Sequence, residues 1–157
     1  MQVGYTTTDQ IRAVLGLTDK ELGDTMIMDL GVADQLTLRL VEVYPDHAAL
    51  KAKIDARTAT TEEQLVWVTL TMYVRYEAAC ALLPQFQMIV VKRISDGDVE
   101  MQRFGPDDLA QFREEVRGKR DEYLRALDPT YFEAAGFPLF GAVAPAYDPV
   151  TNTTGEG

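Results

Sequence analysis

The stretch that most constrains this chain is Thr61–Leu83, TEEQLVWVTLTMYVRYEAACALL. Its only charged residues are Glu62, Glu63, Arg75 and Glu77, and apolar or small side chains fall on every face of a helix drawn through it. A helix that is apolar all round is a buried one. Arg75 and Glu77 near its middle argue against a membrane span, where central charges cost most. The series Leu65, Thr69, Met72, Tyr76, Ala79, Leu83 steps by four and three, which is helical spacing and not strand alternation. Thr60 with Glu63 reads as a capping box at the start, and Pro84 as a stop just past the end. Other helices should pack around this one.

The segments before it supply candidates. Thr7–Leu15 reads as a short helix with Thr7 or Thr8 as cap, an apolar side of Ile11, Val14 and Leu15, and Gly16 as its end. Thr18 with Glu21 repeats the capping pattern and adds a turn. From Asp24 to Tyr44 the apolar residues Ile27, Leu30, Ala33, Leu36, Leu40 and Val43 keep three-and-four spacing, so this span is helical, in one piece or two. Pro45 suits the first position of a further helix to about Arg57.

After the central helix the pattern changes. MIVVKRI and DVEMQRF are rich in β-branched and long residues and flank Asp96-Gly97. An Asp-Gly pair between such runs is a hairpin signal, because a type I′ turn needs positive φ at both central residues. In that register Ile94 faces Val99 and Arg93 faces Glu100. The expectation is a β-hairpin at about 88–104. Pro106, Asp107 and Asp108 then open a long amphipathic helix to Leu127, with Leu109, Phe112, Val116, Tyr123 and Leu127 as its apolar stripe and basic residues gathered toward its end, as the helix dipole favours.

Residues 129–157 hold four of the seven prolines, no Lys or Arg, and the aromatics Tyr131, Phe132, Phe137, Phe140 and Tyr147. Such a segment cannot build its own core, but spaced aromatics on a proline-stiffened chain can dock elsewhere. The expected fold class is therefore mainly α: a helical bundle around a buried central helix, with one β-hairpin and an extended C-terminal arm. The body spans 1–128 and the arm 129–157.

Composition narrows the chemistry. A net charge of −10 argues against gripping nucleic acid by phosphate neutralisation, which needs a surplus of Lys and Arg. There is one serine (Ser95), one histidine (His47) and one cysteine (Cys80), so a Ser-His-acid or Cys-His site would have to unite a hairpin-flank serine or a core cysteine with a histidine near a helix start. Cys80 on the buried helix reads as a small core residue, His47 as making a local contact. One histidine and one cysteine are too few for the usual zinc sets. Asp96, Asp98 and Glu100 lack the EF-hand order and read as turn residues. No phosphate-cradling glycine motif occurs. The expectation is a protein without catalytic, cofactor-binding or metal-ligating residues. The N-terminal MQVGYTTTDQIR has no apolar leader segment, which suggests synthesis in the cytoplasm.

Three stretches in order carry a family resemblance: YTTTDQIRAVLGLTDKELGD near the start, the apolar central helix, and KRISDGDVEMQRF followed by a long amphipathic helix. Together, from about Tyr5 to Leu127, they resemble the head-tail connector, or adaptor, proteins of tailed bacteriophages. The resemblance implies a non-enzymatic virion protein made in the host cytoplasm and placed at the head-tail interface. It implies a homo-oligomeric ring, commonly of twelve copies, that binds the portal protein, meets tail or head-completion proteins, and continues the DNA channel without sequence-specific DNA binding and without a membrane. An acidic wall past which DNA slides suits the net charge. The contact residues carried over are Arg93, Ile94, Asp96, Gly97 and Val99 of the expected hairpin and, in the arm, Tyr131, Phe132, Phe137, Phe140 and Tyr147. The rival expectation is a small acidic all-α domain that regulates a host or phage enzyme.

Overall fold

The computed structural model describes residues 1–95 and 106–128. Its order is β1 (Gln2–Val3), β2 (Thr6–Thr7), α1 (Thr8–Leu15), α2 (Asp24–Asp29), α3 (Val32–Val43), α4 (His47–Asp55), α5 (Thr61–Ser95) and α6 (Pro106–Leu127). The described residues are mainly helical, with one two-stranded antiparallel hairpin.

That hairpin is not where the sequence led us to expect it. It joins Gln2 to Thr7 and Val3 to Thr6 at the N-terminal end, turning through Gly4 at φ +58°. Residues 88–95, expected as the first strand of a hairpin, continue α5 as helix. Strand propensity is a weak preference that reflects packing more than backbone, and extending an existing helix adds one hydrogen bond per residue fixed without a new nucleation cost. Arg93 and Ile94 therefore lie in the last turns of α5, while Asp96, Gly97 and Val99 lie outside the described residues.

Pro84 does not stop α5 either. Proline removes one backbone donor and crowds the preceding turn. Here it sits on the exposed side of the helix, while Leu82, Leu83 and Phe86 around it are buried.

Most helix boundaries follow local chemistry. Thr7 caps α1 with Gln10 in a reciprocal capping box, and Gly16 ends it in the left-handed conformation, at φ +65°. Gly31, also at φ +65°, separates α2 from α3, so the Asp24–Tyr44 span forms two helices. Helix α4 starts at His47, two residues after Pro45. At the start of α5 the Glu63 N–H donates to Thr60 Oγ1 at 3.2 Å and the Thr60 N–H to Glu63 Oε2 at 2.9 Å. Glu63 also takes an ion pair from Lys53 of α4. Helix α6 occupies the expected span from Pro106 to Leu127.

α5 is the element that α1, α3, α4, α6 and β2 all touch. Its Leu70, Tyr73, Val74, Ala78, Leu82 and Phe86 are buried with Ile11 and Leu15 of α1, Leu36 and Leu40 of α3, Leu50 of α4, and Val116 and Leu124 of α6. Helix α6 runs antiparallel to it, with Phe112 against Phe86 at 5.2 Å between ring centroids and Tyr123 against Tyr76 at 5.6 Å. The burial expected all along the central helix holds only from about Leu70 onward, since Leu65 and Val68 are 68% and 56% exposed. No described helix is long and apolar enough to cross a membrane.

Candidate interaction surfaces

Of the expected contact residues, only Arg93 and Ile94 fall on a described element, near the end of α5. The arm aromatics Tyr131, Phe132, Phe137, Phe140 and Tyr147 lie outside the described residues, as does the 129–157 boundary. What the described body offers is three polar or aromatic clusters and two outward apolar patches.

The first cluster is built on Arg12, 7% exposed. It projects from α1 so that Nη1 donates to the Leu22 carbonyl at 3.1 Å and pairs with Asp24 Oδ1 at 2.6 Å, while Nη2 pairs with Asp9 and reaches Thr8 Oγ1 at 3.5 Å. The hydrogen bond from Arg12 holds the Asp24 carboxyl at a pKa of about 2, with Thr8 helping. The guanidinium is spent on these partners: it ties α1, the Gly16–Gly23 connection and the start of α2 together. These residues all fall between Thr8 and Asp24 and form a closed structural unit.

The second cluster lies in a groove of about 520 Å³ between α3, α5 and α6. Glu77, with a side chain 17% exposed, sits between Arg39 Nε and Arg120 Nε, each 3.7 Å from one of its oxygens. Arg39 also pairs with Glu42 at 2.7 Å, and Arg120 with Asp121 at 2.6 Å. Burial raises the Glu77 pKa, and the two arginines oppose that shift. Burial also pushes the Cys80 thiol in the same groove up to about 11. A thiol held protonated is a poor nucleophile, and the charges here are engaged with one another. The chemistry of the groove is that of a polar pin joining three helices.

The third cluster corrects the expectation of a local contact for His47. Its Nδ1 is hydrogen-bonded to Tyr5 Oη at 2.6 Å, across 42 residues of sequence. The Tyr5 ring also meets Trp67 of α5 at 4.8 Å. Burial raises the Tyr5 pKa. The cluster fastens the N-terminal hairpin to α4 and α5. Nothing in the sequence pairs Tyr5 with His47; the nearest signal is that each is a polar-tipped ring beside a turn.

Cys80 and His47 thus belong to different clusters, and Ser95 ends α5 fifteen residues beyond Cys80, roughly 22 Å along the helix axis. Among the described residues there is no group of three His, Cys, Asp or Glu side chains placed to hold a metal ion.

The apolar patches are the features that sequence reasoning missed. On α3, Leu38 and Val41 are 73% and 55% exposed, on the side away from the buried Val32, Leu36, Leu40 and Val43. On α5, Leu65 and Val68 are bare. The series that contains Leu65 was visible in the sequence, and so was the end of α6 at Leu127, but not how α6 aligns along α5. No protein-family model, curated protein or solved structure matches this chain.

Proposed function

We propose that this protein is a structural head-tail connector of a tailed bacteriophage: an oligomeric ring that binds the portal and extends the DNA channel toward the tail. The family resemblance over Tyr5–Leu127 suggests it. The structural observation that carries it is the pair Leu38 and Val41, two large apolar side chains presented to solvent by a helix whose other face is in the core. Outward apolar side chains grouped on one helix mark an assembly surface more often than chance exposure does, and a head-to-tail contact repeated by rotation closes a ring. The net charge of −10 suits a wall along which DNA moves without adhering. In this reading the C-terminal arm, with Phe137, Phe140 and Tyr147, reaches the portal, and the α5 end bearing Arg93 and Ile94 faces a neighbour or the tail proteins.

The deciding experiment mixes the purified protein with purified portal protein and measures mass and symmetry by native mass spectrometry and negative-stain imaging. A ring seated on the portal is expected, and Leu38→Asp with Val41→Asp should abolish the ring while leaving the helical circular dichroism unchanged. A monomer indifferent to the portal would overturn the connector reading in favour of a small regulatory domain.

A further inference from the structure

Helix α6 stops short of the seam it covers. The seam on α5 steps by four and three from Leu65 through Met72, Tyr76 and Leu83 toward Phe86, the average period of 3.5 that keeps one helix facing another. Phe112 meets Phe86 and Tyr123 meets Tyr76, so the two helices run antiparallel along its later part. Leu127, one turn beyond Tyr123, comes level with Met72, about 6 Å further on. There α6 ends, and the next apolar residues of α5, Val68 and Leu65, are 56% and 68% exposed.

The residues after Leu127 are Asp128, Pro129, Thr130, Tyr131 and Phe132. Proline disfavours helical conformation in the residue before it, which accounts for the helix ending at this point. From the level of Leu127 to that of Leu65 is about 10 Å along α5, and four extended residues cover about 13 Å. Tyr131 and Phe132 are thus the first large apolar side chains to follow α6, at a chain distance that reaches the bare end of the seam.

We propose that Tyr131 and Phe132 lie over Val68 and Leu65 of the same chain and complete the α5 seam. The tether decides the occupant. A segment joined by a few residues has an effective concentration in the millimolar range, which a second copy at micromolar concentration does not match. This inference does not rest on the connector reading, because the seam would need cover in a monomer as well as in a ring.

The test uses the full chain with Cys80→Ala, so that the only thiols are those introduced. Val68→Cys is combined with Phe132→Cys and oxidised mildly at micromolar protein. The expected product is a disulfide within one chain, with a yield independent of protein concentration and several-fold above that of Val68→Cys combined with Tyr147→Cys. Links formed only between chains would place another copy's residues on the seam and overturn the proposal. So would the absence of any link while both thiols still react with a maleimide.

A second measurement covers variants that fold poorly. Leu65→Ser alone, and Tyr131→Ser with Phe132→Ser, should each lower Tm by about 2–4 °C, and the combination should lower it by less than the sum, as contacting residues do. Strict additivity, or no shift from either change, would overturn the proposal.

Discussion

Tyr5 and His47 are hydrogen-bonded at 2.6 Å, and the same Tyr5 ring lies 4.8 Å from Trp67, so one side chain fastens the N-terminal hairpin to both α4 and α5. Tyr5→Phe removes only the hydroxyl and should cost about 1 kcal/mol, the usual net worth of a hydrogen bond. Tyr5→Ala also removes the ring and should cost clearly more. Trp67 is the only tryptophan, so its emission reports the site directly: little change for Tyr5→Phe, a red shift for Tyr5→Ala. Equal stability losses in urea titrations of the two variants would contradict a role for the ring.

The Arg12 cluster makes acid stability readable at one carboxylate. The Asp24 pKa is lowered from 3.8 to about 2, chiefly by the hydrogen bond from Arg12. A lowered folded-state pKa gives stability that is present above the unfolded value and is lost as pH falls through the folded one. Asp24→Asn should therefore flatten the loss of stability between about pH 4 and pH 2, measured by urea unfolding at fixed pH steps. Arg12→Met, which removes the guanidinium shared by Asp9, Asp24 and the Leu22 carbonyl and leaves Asp24 with only Thr8 and the N-terminal ammonium, should destabilise the protein at neutral pH by about 2 kcal/mol.

Glu77 has the opposite sign. Burial raises its folded-state pKa above 4.5 despite Arg39 and Arg120. The folded chain then holds the proton more tightly than the unfolded one, so this contribution is full below pH 4.5 and is lost as pH rises through the raised value. Glu77→Gln should remove that decline from the pH profile of stability just above pH 4.5. Superimposable slopes for the two proteins across that window would show that Glu77 is not the titrating group.

Pro84 gives a stabilising prediction. It sits inside α5 on the exposed side of the helix. Pro84→Ala restores the missing donor and removes the clash with the preceding turn, so Tm should rise, by the equivalent of up to about 3 kcal/mol. A fall in Tm on thermal unfolding would mean that the packing of Leu82, Leu83 and Phe86 depends on the proline.

Where the chain announced its structure, it did so through short-range chemistry. Thr60 and Glu63 marked the start of α5, Pro106 the start of α6, Gly16 the end of α1, and the three-and-four spacing the helices between them. The errors came where local preference met packing. Residues 88–95 carry strand-favouring side chains yet extend a helix already nucleated, and Pro84 is carried through by the buried residues on either side of it. The N-terminal hairpin escaped notice because strands of two residues leave no periodicity to read. Of the candidate surfaces, the Leu65 seam was visible as a pattern, but its exposure depends on the register in which α6 packs along α5. The Tyr5–His47 contact depends on the path of the whole chain between them.

Glu63 is shared between two tasks: it closes the cap of α5 and holds Lys53 at the far end of α4. The start of the central helix and the angle at which its neighbour approaches therefore cannot drift independently. A substitution at Glu63 would loosen the cap of α5 and its tie to α4 together.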